Sequence, residues 1–218
     1  MKTALVFGSS GLIGGHLLSQ LIENDDYNKI KIFVRSEPEI NDPKVEIIKT
    51  DFNNLENHKE DIKGDDCFFC IGATKQNSPD KNEYRRVELD VPKQIAQIAK
   101  SNSVNSFLFV SSGYADPKSS GDYLKFKGEV EEELKRLNFS KLGIMRPSFL
   151  LGDRKENRIG EKIGIFVFKL LSPLFLGPLK KMKPIHSATV AKAMIAITQN
   201  ESSQIILESN EIAKLVLN

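Results

Sequence analysis

Short apolar runs alternate along the chain with longer stretches whose apolar residues recur at helical spacing. Residues 3–7, 30–34, 45–48, 67–71, 107–111, 142–145 and 204–207 have the length and composition of strands. Residues 11–23, 87–99, 123–137 and 187–199 read as helices, with Ser187 as an N-cap, and a last helix follows from Asn210. Within 87–99, one stripe is formed by Val87, Val91, Ile95, Ile98 and Ala99. Strands separated by helices predict parallel pairing through right-handed crossovers. The run Phe107-Leu108-Phe109-Val110 is continuous rather than alternating, as a strand covered on both faces requires. The expected fold class is therefore α/β, a doubly wound parallel sheet, with residues 1–218 in one domain. Such sheets bind ligands at the carboxyl ends of their strands.

Composition narrows the function. Hydrophobic residues make up 40% and charged residues 28% of the 218, which is ordinary for a globular chain that buries its own core. Lys and Arg total 31 against 29 Asp and Glu, so the broad basic field of a dedicated nucleic-acid binder is missing. No apolar run reaches the ~18 residues of a membrane-spanning helix. Residues 159–179 come closest and are broken by Glu161, Lys162 and Lys169. No secretory cleavage site follows the apolar N-terminus. Cys67 and Cys70 form a C-x-x-C pair, a spacing used in redox and zinc sites. No second pair accompanies it, and positions i and i+3 of a strand face opposite ways. Buried core thiols, no metal and a cytoplasmic location are expected.

The first predicted strand runs straight into Gly8-Ser9-Ser10-Gly11-Leu12-Ile13-Gly14, and a helix opens there. Strand, glycine turn and helix N-terminus in that order make a phosphate cradle. Gly8 permits the tight turn, Gly11 lets backbone approach a pyrophosphate, and Gly14 lets the helix pack close to the sheet. Ser10 belongs to the loop, and the N–H groups of Leu12 and Ile13 are offered to the phosphates. The G-x-x-G-x-x-G spacing resembles the short-chain dehydrogenase/reductase superfamily, in its extended and atypical branches, and so implies a Rossmann fold. About 20 residues beyond the glycines, NAD-binding members place an acid for the ribose 2′-hydroxyl. Arg35 stands there instead, and Arg suits a 2′-phosphate. NADP(H) is expected over NAD(H). The resemblance further implies that Asp51 and Phe52 cup the adenine, and that Ile71, Gly72 and Ala73 line the adenosine ribose.

Eleven residues beyond Ser112 comes Tyr123-Leu124-Lys125-Phe126-Lys127, a Y-x-x-x-K on a predicted helix. Positions i and i+4 share one helix face. A nearby ammonium and an oxidised nicotinamide both favour the phenolate, which makes a tyrosine useful for moving protons. By alignment with the superfamily's strand-end serine, Ser112 would donate to the substrate oxygen. Tyr123 would transfer the proton, and Lys127 would also bond the nicotinamide ribose. Many members carry an Asn in the preceding long helix; Glu88 holds that place here. Pro147, after the sixth strand, would lie near the nicotinamide.

Three stretches look like one atypical subgroup, the HIV Tat-interactive-protein-2-like oxidoreductases. They are Cys67–Thr74, Tyr123–Glu133 and Arg146–Arg154, and the likeness runs over roughly residues 1–200. It implies NADP(H) binding and a superfamily active site, and no particular substrate. Residues 148–185 would be a small substrate-binding segment: a lid, an oligomer face or a membrane-surface patch. His186 reads as structural. The leading expectation is an oxidoreductase moving a hydride to or from a small carbonyl or alcohol, as a monomer or homodimer. The alternatives are a redox-sensing NADP(H)-binding regulator and an epimerase that uses the cofactor transiently.

Overall fold

The computed structural model describes residues 1–73, 80–152, 183–199 and 203–217. Strand β1 spans Lys2–Phe7 and is followed by helix α1, Leu12–Ile22. Next come β2 (Tyr27–Val34), β3 (Val45–Lys49) and β4 (Asp66–Phe69). Helices α2 (Lys81–Arg85) and α3 (Val91–Ser101) are joined by a π turn, Arg86–Asp90. Then follow β5 (Ser106–Val110), α4 (Asp122–Leu137), β6 (Lys141–Arg146), β7 (Leu150–Leu151) and β8 (Ile185–His186). Helix α5 (Ser187–Gln199), β9 (Gln204–Glu208) and α6 (Ser209–Leu217) complete the order.

Seven strands form one parallel sheet in the order β3-β2-β1-β4-β5-β6-β9, and β7 pairs with β8 apart from it. This is the Rossmann arrangement. The chain winds outward from β1 to β3, then returns to place β4 on the other side of β1. The crevice between the carboxyl ends of β1 and β4 is therefore the switch point.

The pleat sorts each strand between two cores. Leu5 and Phe7 pack on the face covered by α3 and α4, while Ala4 and Val6 pack on the face covered by α1 and α5. Cys67 belongs to the first face and Cys70 packs against the second, so the two thiols diverge as the strand spacing requires. Both are free. On the first face a row of phenylalanines crosses the carboxyl ends of four strands. Phe33 stacks on Phe7 at 4.3 Å, Phe7 on Phe69 at 6.0 Å, and Phe69 lies 5.9 Å from Phe109. That row lies beneath the carboxyl edge of the sheet.

The helical region expected over 87–99 begins earlier than its apolar stripe. Asp80 caps it, with Oδ1 accepting from the N–H of Asn82 at 2.7 Å. Asp80-Lys81-Asn82-Glu83 carries the D-x-x-E signal of a helix start, masked by its charge. The π turn has a local cause. Pro92 has no N–H to give the Glu88 carbonyl, so the usual bond four residues back cannot form. Of the anticipated substrate segment 148–185, residues 153–182 lie outside the described residues. Among the described residues, no helix is long and apolar enough to cross a membrane.

Candidate active site

Backbone geometry explains the glycine turn. Gly8 has φ of +89°, and a Cβ there would lie 2.8 Å from the Cys70 carbonyl carbon and the Ile71 nitrogen. Gly11 caps α1 in extended conformation, with its N–H donated to the Gly8 carbonyl at 3.0 Å. A Cβ on Gly14 would sit 2.0 Å from the Gly8 carbonyl oxygen, so α1 is pressed directly onto the end of β1. No side chain caps α1 and no acid occupies its first turn. Its first N–H groups, Leu12 and Ile13 among them, lack intrahelical partners and carry the positive end of the helix dipole. Leu12 packs towards Gly152, and Ile13 and Gly14 are buried behind the turn.

A cleft of about 280 Å³ opens from this turn. Gly8, Ser10 and Gly11 line one end of it, and Arg35, Asp51 and Phe52 line another part. Ile71, Gly72 and Ala73 also border it. A turn that lacks a Cβ at Gly8 and Gly11, an uncapped helix end and a nearby guanidinium suit a phosphorylated dinucleotide. Arg35 is exposed and forms no ion pair among the described residues. Asp51 is engaged by its own loop, accepting from the Asn53 N–H at 2.9 Å and the Asn53 amide at 2.8 Å. Those bonds hold its carboxyl below the usual range. Phe52 adopts a φ of +62°, a strained value for an aromatic residue.

Glu83, Arg86, Val87 and Val91 complete the wall and were not anticipated. Arg86 grips Glu83 at 2.7 and 2.8 Å and donates to the Phe52 carbonyl at 2.9 Å. The Glu83–Arg86 spacing of three on a helix was the available signal.

The two strand-end serines have different environments. Ser111 is buried and donates to Glu131 Oε1 at 2.5 Å. Arg146 clasps that same carboxylate, with Nε at 2.9 Å and Nη2 at 2.5 Å. Ser112 is half-buried, and its hydroxyl makes only a 3.3 Å bond to the neighbouring Gly113 carbonyl. Buried Pro147 accepts from the Gly113 N–H at 3.0 Å, which fixes it beside the end of β5. A Cβ on Gly128 would lie 2.3 Å from the Pro117 nitrogen, so α4 sits hard against the loop that follows Ser112.

Tyr123, the second residue of α4, is 37% exposed. One turn later Lys127 is only 3% exposed. Its ammonium lies 6.0 Å from the Tyr123 ring centroid and 4.9 Å from that of Phe109. It donates to the Val110 carbonyl at 3.3 Å and lies 3.0 Å from Glu88 Oε2. Burial opposes the charge on Lys127, but the Glu88 carboxylate, with smaller contributions from Tyr123 and Cys70, outweighs it and holds the ammonium above the usual lysine range. Glu88 Oε1 also accepts from the Ala73 N–H at 2.5 Å. Ser112, Tyr123, Lys127 and Pro147 thus stand outside the 280 Å³ cleft, and Glu88 links Lys127 to its rim.

Residues 8–201 match the family described as NAD(P)H-binding. Protein HTATIP2 of Rattus norvegicus is 32% identical over 165 residues, covering 73% of this chain and 67% of that protein. Protein FMP52, mitochondrial, of Candida glabrata is 29% identical over 228 residues, covering 100% and 97%. Among solved structures, a UDP-N-acetylglucosamine 4-epimerase from Methanobrevibacter ruminantium M1 superposes with a TM-score of 0.71. It is 19% identical and aligns over 95% of this chain and 76% of its own. MoeE5 in complex with UDP-glucuronic acid and NAD gives 0.70 at 17% identity, with 95% and 76% covered. At these identities the structures speak for the fold alone. The cytoplasmic expectation does not stand, because several fungal relatives are named as mitochondrial. A buried Cys67 and a partly buried Cys70 report packing, not compartment, and that inference was the weak step. With its glycine turn, its cleft and this family match together, the chain belongs to the NAD(P)H-binding family, among proteins similar to HTATIP2 and FMP52.

Proposed function

We propose that the protein is an NADP(H)-dependent oxidoreductase that moves a hydride to or from a small carbonyl or alcohol. The observation that carries this reading is the pairing on α4. An accessible phenol, Tyr123, stands one turn from a buried ammonium, Lys127, beside a strand end where Ser112 keeps a loosely held hydroxyl. Gly8, Ser10, Gly11 and the first N–H groups of α1 would hold the pyrophosphate, with Gly14 letting α1 press against the turn. Asp51, Phe52 and Ile71–Ala73 would receive the adenosine, and Pro147 would border the nicotinamide. When bound, the dinucleotide supplies or accepts the hydride. Ser112 donates to the substrate oxygen, Tyr123 gives or takes the proton at Oη, and Lys127 holds positive charge beside that phenol.

Preference for the phosphorylated cofactor is assigned to Arg35. Its guanidinium is exposed at the cleft and, among the described residues, makes no ion pair, although its charge reaches Glu83 on the same wall. Arg35→Ala is expected to weaken NADPH binding by about tenfold to a hundredfold, the worth of one lost charge-assisted contact. NADH binding should stay within about twofold of wild type. Fluorescence titration of both cofactors checks this, and equal affinity of the wild-type protein for NADPH and NADH would refute the assignment. The activity itself is tested by NADPH consumption across a panel of small aldehydes and ketones. Turnover of at least one is expected; a protein that binds NADPH and turns over none of them is not this enzyme.

A further inference from the structure

Glu88 takes no part in the proton or hydride steps above, yet its carboxylate is the most deeply placed charge near them. It is 1% exposed and projects from the π turn between α2 and α3. One oxygen accepts from the Ala73 N–H, on the turn that borders the cofactor cleft. The other faces the Lys127 ammonium on the helix that carries Tyr123. A buried charge of either sign is costly unless an opposite charge meets it.

Among the groups that favour the Lys127 ammonium, the Glu88 carboxylate weighs most, ahead of Tyr123 and Cys70. Cys70, at the end of β4, packs against the α1/α5 face, and burial pushes that thiol up to about 12. Tyr84 lies in the same cluster on α2, and burial raises its phenol to about 12. Val110 offers a neutral carbonyl, and Tyr123 stands on the same helix. Asp122 is exposed at the start of α4. Among the described residues, Glu88 is the one carboxylate in ion-pair contact with Lys127.

We propose that Glu88 is a positioning residue: it keeps Lys127 charged inside the protein and ties that charge to the Gly72–Ala73 turn. One carboxylate then sets the cofactor cleft and the proton-transferring helix in register. The inference rests on the reading of Tyr123 and Lys127 as the reacting pair, and it adds a fourth residue to that site.

The test uses the cofactor-free protein with isotope-labelled lysine ε-carbons, followed by NMR as pH is raised. Lys127→Met identifies the Lys127 signal. Glu88→Gln is isosteric and keeps an acceptor for the Ala73 N–H while removing the charge. In that variant Lys127 is expected to lose its proton at least about one pH unit lower than in wild type, a tenfold loss of proton affinity. Turnover should fall as pH rises through the same lowered value, and Glu88→Asp should restore the wild-type profile at least in part. A Lys127 signal that titrates alike in Glu88→Gln and wild type overturns the proposal. If Glu88→Gln does not fold, the double variant Glu88→Gln/Lys127→Met should fold, because it leaves no unpaired buried charge. Failure of the double variant would equally overturn it. The titration needs no substrate, so a wild-type protein that turns over nothing refutes the enzyme reading without touching this result.

Discussion

Tyr123→Phe should leave NADPH affinity within about twofold of wild type and lower turnover by about a hundredfold or more. The change removes a single oxygen. Tyr123 is partly exposed, with its ring near the Lys127 ammonium, so the ring can stay in place without that oxygen. Neither the glycine turn nor the cleft wall uses the phenol. What disappears is the group that exchanges a proton with the substrate oxygen. A solvent water can replace it only poorly, and general acid–base catalysis by a placed side chain contributes about 10²–10⁴-fold. The loss belongs in kcat, with little change in KM, because the hydroxyl acts as the proton moves. Steady-state kinetics and cofactor titration on the same preparation separate the two. Unchanged turnover would remove Tyr123 from the chemistry and leave a cofactor-binding protein of some other kind.

Gly14→Ala should damage both stability and cofactor binding, whereas Gly15→Ala should damage neither. The added methyl at Gly14 would lie 2.0 Å from the Gly8 carbonyl oxygen and 2.7 Å from its carbon. Backbone cannot swing away as a long side chain can, so α1 must lift from β1. Overpacking of this sort costs about 1–3 kcal/mol, or roughly 2–12 °C in Tm for a domain of this size. The same movement carries the first N–H groups of α1 away from the phosphates they would hold. A loss of about tenfold or more in NADPH affinity is expected, since each charge-assisted hydrogen bond is worth about 1.5–3 kcal/mol. At Gly15 the methyl would meet the Ser9 carbonyl oxygen at 3.6 Å, an ordinary contact. Alanine is the better helix former there by about 1 kcal/mol, so stability should hold or rise. Thermal melts of both variants, with and without NADPH, make the comparison. Equal behaviour would mean that α1 is not fixed by its close approach to Gly8.

Much of this molecule was legible because the determining physics is local. Each of the seven strands of the main sheet announced itself as a short apolar run, while the two-residue β7 and β8 did not, and the continuous Phe107–Val110 run foretold burial on both faces. The glycine turn was readable because left-handed backbone at Gly8 and a close approach at Gly14 exclude side chains whatever surrounds them. Tyr123 and Lys127 were readable as a pair because helix geometry alone puts positions four apart on one face. The location was not readable at all, and the fungal relatives corrected it.

Partnerships between distant elements were decided by the tertiary structure. Glu131 lies in a run of three acids that resembles a solvated helix face, yet it is buried between Ser111 and Arg146. That burial separates Ser111 from Ser112, two neighbours with the same chemistry. Arg86 reached the cleft because the helix begins at Lys81, ahead of its apolar stripe. Glu88 and Lys127 are far apart in the chain, and the packing of the π turn against α4 brings their charges to 3.0 Å. The sequence by itself therefore determined the strands of the main sheet, the glycine turn and the phenol–ammonium pair, all set by backbone sterics and periodicity. Which charges meet in the interior was decided only by the fold, because the cost of burying a charge depends on what arrives beside it.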